Sequence, residues 1–293
     1  MPIFVIAGIG FLMARRFGAN VKTMSTVAFN ALSPCLVFYQ LVTTKVSAAQ
    51  SWRVVLFCIL LTMAIGVTAR LAALPLRLDR ATLSSFLLVV MFSNSGNYAL
   101  PVVLFAFGRE SLAFASVYFV TSAILVYTFG VFVAASGRGS IRSAALGITR
   151  VPAVYAVVAA VAVLAAGVTV PLAVMRPVGL LSDAALPVLV LVLGMQLERA
   201  TLPAHPAAVT TAVVLSLVVA PILAFALAAA IGLTGAARQA SIIEASMPAA
   251  VITTVLALEF DLDAGFSTSV VMFSTLLSPF TLVFLIAYLL RGC

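Results

Sequence analysis

Two stretches hold most of the residues able to do chemistry in a chain that is otherwise apolar. One is Ser93-Asn94-Ser95-Gly96-Asn97-Tyr98-Ala99-Leu100-Pro101, inside an apolar run from Thr82 to Phe107. The other is Glu244-Ala245-Ser246-Met247-Pro248, inside a second such run. Amide and hydroxyl side chains can bind a carboxylate. A helix interrupted at Gly96 and Pro101 also frees backbone N–H and C=O groups. A new helix N-terminus carries partial positive charge that suits an anion, and freed carbonyls suit a cation. Asn94, Ser95, Asn97, Tyr98, Met247 and Pro248 are therefore the candidate substrate-binding residues.

Glu244 asks for a reason, because an acid within a membrane span costs at least about 2.5 kcal/mol to insert. Three readings are open. It ligates a coupling sodium ion together with Ser246 and freed carbonyls, it carries a coupling proton, or it is a neutral or paired acid tied to broken backbone or to Arg238. Asn30 and Asp183 are further contributors, and Asp183, one turn before Pro187, either caps its helix or lines the substrate path. The plainer reading of Ser93–Pro101 is that small residues let helices approach closely. Two asparagines beside glycine and proline exceed what packing needs.

The elements that must position these residues are membrane helices. Of 293 residues, 64% are hydrophobic and 8% charged, with mean hydropathy +1.27. A soluble domain needs far more polar surface to cover its core. Runs near 20 residues, each able to cross about 30 Å of hydrocarbon, recur along the chain. They read as Val21–Thr43, Val54–Leu74, Thr82–Phe107, Ser111–Ala135, Val151–Val170, Val178–Leu197, Ala207–Ile231, Ala236–Leu258 and Ala264–Leu290. Ile3–Ala14 is short for a span and is followed, not preceded, by Arg15 and Arg16, so it reads as a truncated first helix rather than a signal peptide. The fold class is all-α and polytopic, with ten transmembrane helices.

The formal charge of +8 is scattered one to three residues at a time between apolar runs, which is a topology signal and no nucleic-acid patch. With the N-terminus outside, Arg15, Arg16, Lys22, Arg70, Arg77, Arg80, Arg138, Arg142, Arg150 and Arg199 fall inside. Lys45, Arg53, Arg109, Arg176, Arg238 and Arg291 fall outside, so both termini are expected outside the plasma (inner) membrane. Cys35, Cys58 and Cys293 show no metal or disulfide spacing, and His205 sits in a turn. No P-loop, zinc-protease, serine-hydrolase or paired-aspartate motif is present, and the reading is of a non-enzyme with no organic cofactor.

The loop at 136–143 divides the chain into residues 1–136 with helices 1–5 and residues 144–293 with helices 6–10. Five spans per half put the halves in opposite orientations. An offset of 153 residues superposes Asn30 on Asp183, Pro34 on Pro187, and Asn94–Asn97 on Met247–Ala250. The expectation is an inverted 5+5 repeat with interrupted, crossing helices 4 and 9. Interruptions at matching places in two halves are the sequence mark of a transporter's substrate site.

Asn30-Ala-Leu-Ser-Pro34, Asn94-Ser-Gly-Asn-Tyr-Ala-Leu-Pro101, Ala185-Leu-Pro187, Ala245-Ser-Met-Pro248 and Ser274-Thr-Leu-Leu-Ser-Pro279 together make the chain resemble the auxin efflux carrier family. That family includes plant auxin exporters and bacterial malonate or malate permeases, within the bile-acid/sodium symporter superfamily. The resemblance implies scaffold helices 1, 2, 6 and 7, a transport core of helices 3–5 and 8–10, and elevator-like alternating access for organic anions. It is compatible with a homodimer. It also places Asn94, Asn97 and Pro248 at the crossing and likens Glu244 to a sodium-binding acid. The short first span and the missing large central loop depart from the plant pattern. The expected function is secondary active transport of a small mono- or dicarboxylate, with a ligand-sensing module or a channel as the alternatives.

Overall fold

The computed structural model describes residues 2–43, 47–138, 152–197 and 205–291. Lys45, Arg142, Arg150, Arg199 and Cys293, which entered the topology and cysteine readings, lie outside them, as does most of the central loop. The described chain is helical throughout: α1 (Pro2–Phe17), α2 (Val21–Thr43), α3 (Ala48–Leu76), α4 (Arg80–Met91), α5 (Ser95–Ala135), α6 (Pro152–Ala166), α7 (Leu172–Leu197), α8 (Pro206–Ile231), α9 (Gly235–Ala245), α10 (Ile252–Glu259) and α11 (Ala264–Arg291). Helices are what apolar runs must form in lipid, where no water can satisfy a bare backbone group.

Six of these are long and apolar enough to cross a membrane, namely α2, α3, α5, α7, α8 and α11. The 41 residues of α5 are two helical segments joined at Gly108, whose φ of 85° turns the chain where a side chain would be strained. Arg109 and Glu110 lie exposed in that turn. Large apolar side chains point outward, including Leu180 at 73% exposure and Phe284 at 76%. Such surfaces suit acyl chains and not water.

Two boundaries differ from the sequence expectation for identifiable reasons. Helix α3 starts at Ala48, ahead of Val54, because Ser47 Oγ accepts the Gln50 N–H at 3.4 Å and caps it. Helix α7 starts at Leu172, ahead of Val178, and runs through Pro177 as well as Pro187. Pro177 gives up one hydrogen bond near the helix start, which is a smaller loss than ending the helix there.

Packing divides broadly in two. Helix α1 lies on α7, and α2 lies on α6 and α7, while α3, α4, α5, α8, α9 and α11 pack among themselves and α5 also lies against α2, α6 and α7. The α1–α7 contact is backbone on backbone. A Cβ on Gly10 would overlap the Leu191 carbonyl, and one on Gly194 would overlap the Ala7 carbonyl. Glycine at both places lets the two helices touch. At the other side, Thr82 ties the starts of α4 and α11: its hydroxyl lies 2.7 Å from Asp79 Oδ2 and 3.2 Å from Asp263 Oδ2. Those hydrogen bonds from Thr82 hold the Asp79 carboxyl below the usual carboxylate range.

Overfilling the α1–α7 contact should cost stability. Gly194→Ala is expected to destabilise by about 1–3 kcal/mol, seen as a lower unfolding midpoint in detergent. Gly8→Ala, where an added Cβ meets nothing within 4 Å, should leave the midpoint unchanged.

Candidate functional site

Helices break in both stretches, the first at Phe92–Asn94, ahead of the Gly96 and Pro101 positions expected from the sequence, which fall in the helix that resumes there, and the two breaks meet. Helix α4 ends at Met91 and the chain becomes extended, with Phe92 at φ −118° and ψ 109°. Helix α9 ends at Ala245, where the Ser246 N–H caps onto the Ile242 and Ile243 carbonyls at 3.1 and 3.0 Å. Pro248 then prevents continuation, because it offers no N–H and disfavours helical backbone at Met247. The two extended segments pair antiparallel, Ser93 opposite Ala249. The Asn94 N–H donates to the Pro248 carbonyl at 2.8 Å, and the Ala250 N–H donates to the Phe92 carbonyl at 2.9 Å. The Ala249 N–H, pointing away from this pair, donates to Ser274 Oγ of α11 at 3.2 Å. Each interruption thereby satisfies the backbone groups of the other, as burial demands.

Beyond the pairing, both chains return to helix. Residues Ser95–Ala99 form a single π turn, with the Ala99 N–H bonded to the Asn94 carbonyl at 3.1 Å, and α5 follows. Helix α10 starts at Ile252, and Thr253 Oγ1 donates to the Ala250 carbonyl at 2.6 Å. Three more π turns interrupt α2 (Ala28–Leu32), α5 (Val126–Gly130) and α8 (Leu215–Val219). Such turns are rare and cluster at functional sites. Here each one puts a side chain at one of the two cavities beside the pairing.

The larger cavity, about 320 Å3, lies on the side where α5 and α10 begin. Asn94, Ser95, Gly96, Asn97, Ala250, Val251 and Ile252 supply its inner wall. Asn30 and Phe29 face it from α2, Ser122 and Tyr127 from α5, and Pro152 from α6. Among the described residues, the lining carries amides and hydroxyls among apolar side chains and no lysine, arginine, histidine or acid. Asn94 Nδ2 and Asn97 Oδ1 are buried with no protein partner, whereas Asn30 Nδ2 already donates to the Thr26 carbonyl at 2.9 Å. Gly96 is needed there, since a Cβ would stand 3.0 Å from the Phe119 ring.

The smaller cavity, about 20 Å3, lies on the opposite side, where α4 and α9 end. Thr62, Ser93, Tyr118, Ser216 and Met247 are among its walls. Glu244, in the last turn of α9, is wholly buried with neither carboxyl oxygen hydrogen-bonded, and it lines neither cavity. Its presumed partner is elsewhere, because the Arg238 guanidinium stacks over the Phe225 ring at 5.8 Å. Tyr118 and Cys58 are both buried. No group of three or more histidine, cysteine, aspartate or glutamate side chains placed to hold a metal ion occurs among the described residues.

The residues singled out from the sequence divide accordingly. Asn30, Asn94, Ser95 and Asn97 share the larger cavity. Pro248 contributes its carbonyl to the pairing, and Met247 lines the smaller cavity. The Tyr98 hydroxyl is buried against α11, accepting from Ser278 at 3.2 Å, and Ser246 Oγ turns back to the Ile242 carbonyl at 2.6 Å. Asp183 is exposed on α7 and lines neither cavity, contrary to the buried position its apolar neighbours suggest. Ser93, Ser122, Tyr118, Cys58, Thr62 and Ser216 were not singled out as site residues. Apart from Ser93, which adjoins Asn94, each is a polar residue within an apolar run, and only the folded chain shows what it faces.

Comparison with known proteins gives a consistent result. The family described as membrane transport protein matches residues 1–144 and again 138–286. An uncharacterized transporter of Methanothermobacter thermautotrophicus is 27% identical over 263 residues, covering 88% of this chain and 86% of that protein. An uncharacterized transporter of Methanocaldococcus jannaschii is 24% identical over 270 residues, covering 88% and 86%.

Ser274 should matter for stability although it touches neither cavity. Ser274→Ala leaves the buried Ala249 N–H without an acceptor, at an expected cost of about 1–3 kcal/mol. Thermal unfolding in detergent reads this directly, and Ser274→Thr, which keeps the hydroxyl, should recover part of the loss.

Proposed function

The chain belongs to the membrane transport protein family, and from that premise we propose that it is a secondary active transporter of a small organic anion, a mono- or dicarboxylate. The observation that carries this reading is the convergence of two helix N-termini, at Ser95 and Ile252, on one 320 Å3 cavity that also holds Asn94 and Asn97. Helix N-termini present N–H groups and partial positive charge to an anion. The free Asn94 Nδ2 adds a donor, and the apolar remainder of the lining suits a short carbon skeleton. A cavity of this size falls in the range of small-molecule sites. Charge recognition without a lysine or arginine also keeps the site traversable, since a fully charged partner would hold the anion too firmly to release it.

Transport then proceeds by elevator-like alternating access. The ten spans form an inverted 5+5 repeat. Each interrupted span is built from two short helices, α4 with the first segment of α5, and α9 with α10. The ends of α4 and α9 at Met91 and Ala245, 154 residues apart, agree with the sequence offset to within one residue. Helices α1, α2, α6 and α7 are the scaffold, consistent with their mutual packing, and the rest are the moving core. The larger cavity lies between these groups, with Phe29 and Asn30 on the scaffold side. Such a carrier sits in the plasma membrane with both termini outside, and the exposed apolar faces of α6 and α7 leave room for a homodimer.

Uptake into proteoliposomes tests the reading. Radiolabelled mono- and dicarboxylates, malonate and malate among them, are offered under imposed sodium and proton gradients separately. Saturable flux for at least one is expected, and none in a folded preparation would count against the proposal. For that substrate, Asn94→Ala should raise the half-saturation concentration by roughly 10- to 100-fold, the size of a lost hydrogen bond to a charged group. Asp183→Asn should leave it unchanged.

A further inference from the structure

Away from both cavities, three helices bring two guanidiniums together at one end of the molecule. Arg238, near the start of α9, holds its guanidinium 5.8 Å from the centre of the Phe225 ring of α8. The same ring meets Tyr288 of α11 edge to face, with ring centres 5.5 Å apart. Arg291 follows Tyr288 by three residues in the last turn of α11, so the two share a face with Cβ atoms about 5–6 Å apart. Long helical side chains lean toward the N-terminus, which carries Arg291 back toward Tyr288. Tyr288 and Arg291 are exposed and Arg238 is half-buried.

Neither arginine forms an ion pair among the described residues. Glu110, the acid of the neighbouring turn, is carried on another side of α9. Ser111 Oγ donates to Gln239 Oε1 at 3.2 Å, and residue 239 lies about 100° round the helix from residue 238. Thr234 supplies no side-chain cap, so the partial positive charge at the start of α9 adds to that of Arg238. A guanidinium presents a planar fork of donors that matches a phosphate.

Depth and shape narrow the phosphate to one source. The 26 residues of α8 extend about 39 Å, against about 30 Å of hydrocarbon. Phe225 is six residues, about 9 Å, from the last residue of α8. The cluster therefore falls at the boundary between headgroups and acyl chains, where tyrosine is favoured and lipid phosphates lie. From Tyr288 toward the middle of the bilayer, α11 exposes Phe284, Phe280 and Leu277 at helical spacing. That stripe is about 17 Å long, close to the roughly 15 Å of one leaflet. On α8, Ile222 and Val218 are exposed one and two turns before Phe225, on the same face. A soluble anion has no use for such a stripe.

We propose that the Arg238–Tyr288–Arg291 cluster binds one anionic phospholipid, its phosphate on the two arginines and an acyl chain along the exposed stripe of α11. The site is separate from the transport reading and does not depend on it. An anionic headgroup is required because a zwitterionic one carries its own cation, which competes with the arginines for the phosphate. By bridging α8, α9 and α11, the lipid also stabilises their packing, since it binds only the folded chain.

Native mass spectrometry of the purified protein, titrated in detergent with phosphatidylglycerol or with phosphatidylcholine of the same acyl chains, tests this. The wild type should hold phosphatidylglycerol at least tenfold more tightly. Arg238→Gln and Arg291→Gln should each weaken phosphatidylglycerol binding by roughly tenfold, the loss expected for a hydrogen bond to a charged group. Arg238→Lys should recover part of the loss, and Arg176→Gln, on the exposed face of α7, should change nothing. Phosphatidylglycerol should raise the unfolding midpoint, whereas inorganic phosphate at the same concentration should not. Equal binding of the two lipids by the wild type overturns the proposal without need of any variant. Undiminished phosphatidylglycerol binding in both glutamine variants overturns it too, and so does an equal stabilisation by inorganic phosphate, which would make this a site for a free anion.

Discussion

Two backbone hydrogen bonds hold the middle of this protein together. Asn94 N–H to Pro248 O and Ala250 N–H to Phe92 O lie among side chains that exclude bulk water, at 2.8 and 2.9 Å. Without them, four peptide groups freed by two broken helices would be buried and unsatisfied, each costing several kcal/mol in an apolar setting. Neither break is tolerable alone. Ser274 satisfies the next N–H along, and Gly96 admits the Phe119 ring where the chain turns back into helix. The surrounding helices are arranged so that two locally unfavourable segments compensate each other.

The same pairing sorts charge. Four helix ends meet at one level, two beginning and two finishing, and they open on opposite cavities. Backbone direction alone gives the larger cavity helix N-termini and the smaller one helix C-termini, with no basic side chain among the described lining residues. That economy suits the ion recognition proposed for a chain with 8% charged residues. Glu244 is then less anomalous than it looks in the sequence. It sits in the last turn of α9, where the helix's C-terminal carbonyls favour positive charge, and its carboxyl oxygens have no hydrogen-bond partner.

Much of this was legible from residue types. Pro248 marks one break because proline cannot continue a helix, Gly96 and Pro101 signal the other from just past it, inside the helix that resumes, and Asn94 and Asn97 stand out against leucine and valine. The near match of helix ends to a 153-residue offset was legible too. Pairing partners were not. Nothing in Phe92 or Ala249 announces that they face each other, because the contact is made by backbone. The hydroxyls of Thr62 and Ser216 were equally silent, each resembling an ordinary helix residue that returns its proton to the carbonyl one turn back. Asp183 misled in the other direction, since apolar neighbours in a membrane helix indicate lipid as readily as a core. The π turns have no sequence signature at all, yet they aim Asn30, Tyr127 and Ser216.

The pairing of the two interruptions is most directly tested by Ser93→Cys with Ala249→Cys. Directly opposed residues of an antiparallel pair sit about 4.5–5.5 Å apart at Cα, within reach of a disulfide. Mild oxidation in native membranes, followed by mass spectrometry of the linked peptides, should find residues 93 and 249 joined within one chain. Two free, alkylatable thiols at these positions after oxidation, in protein that remains folded, would contradict the arrangement on which both cavities depend.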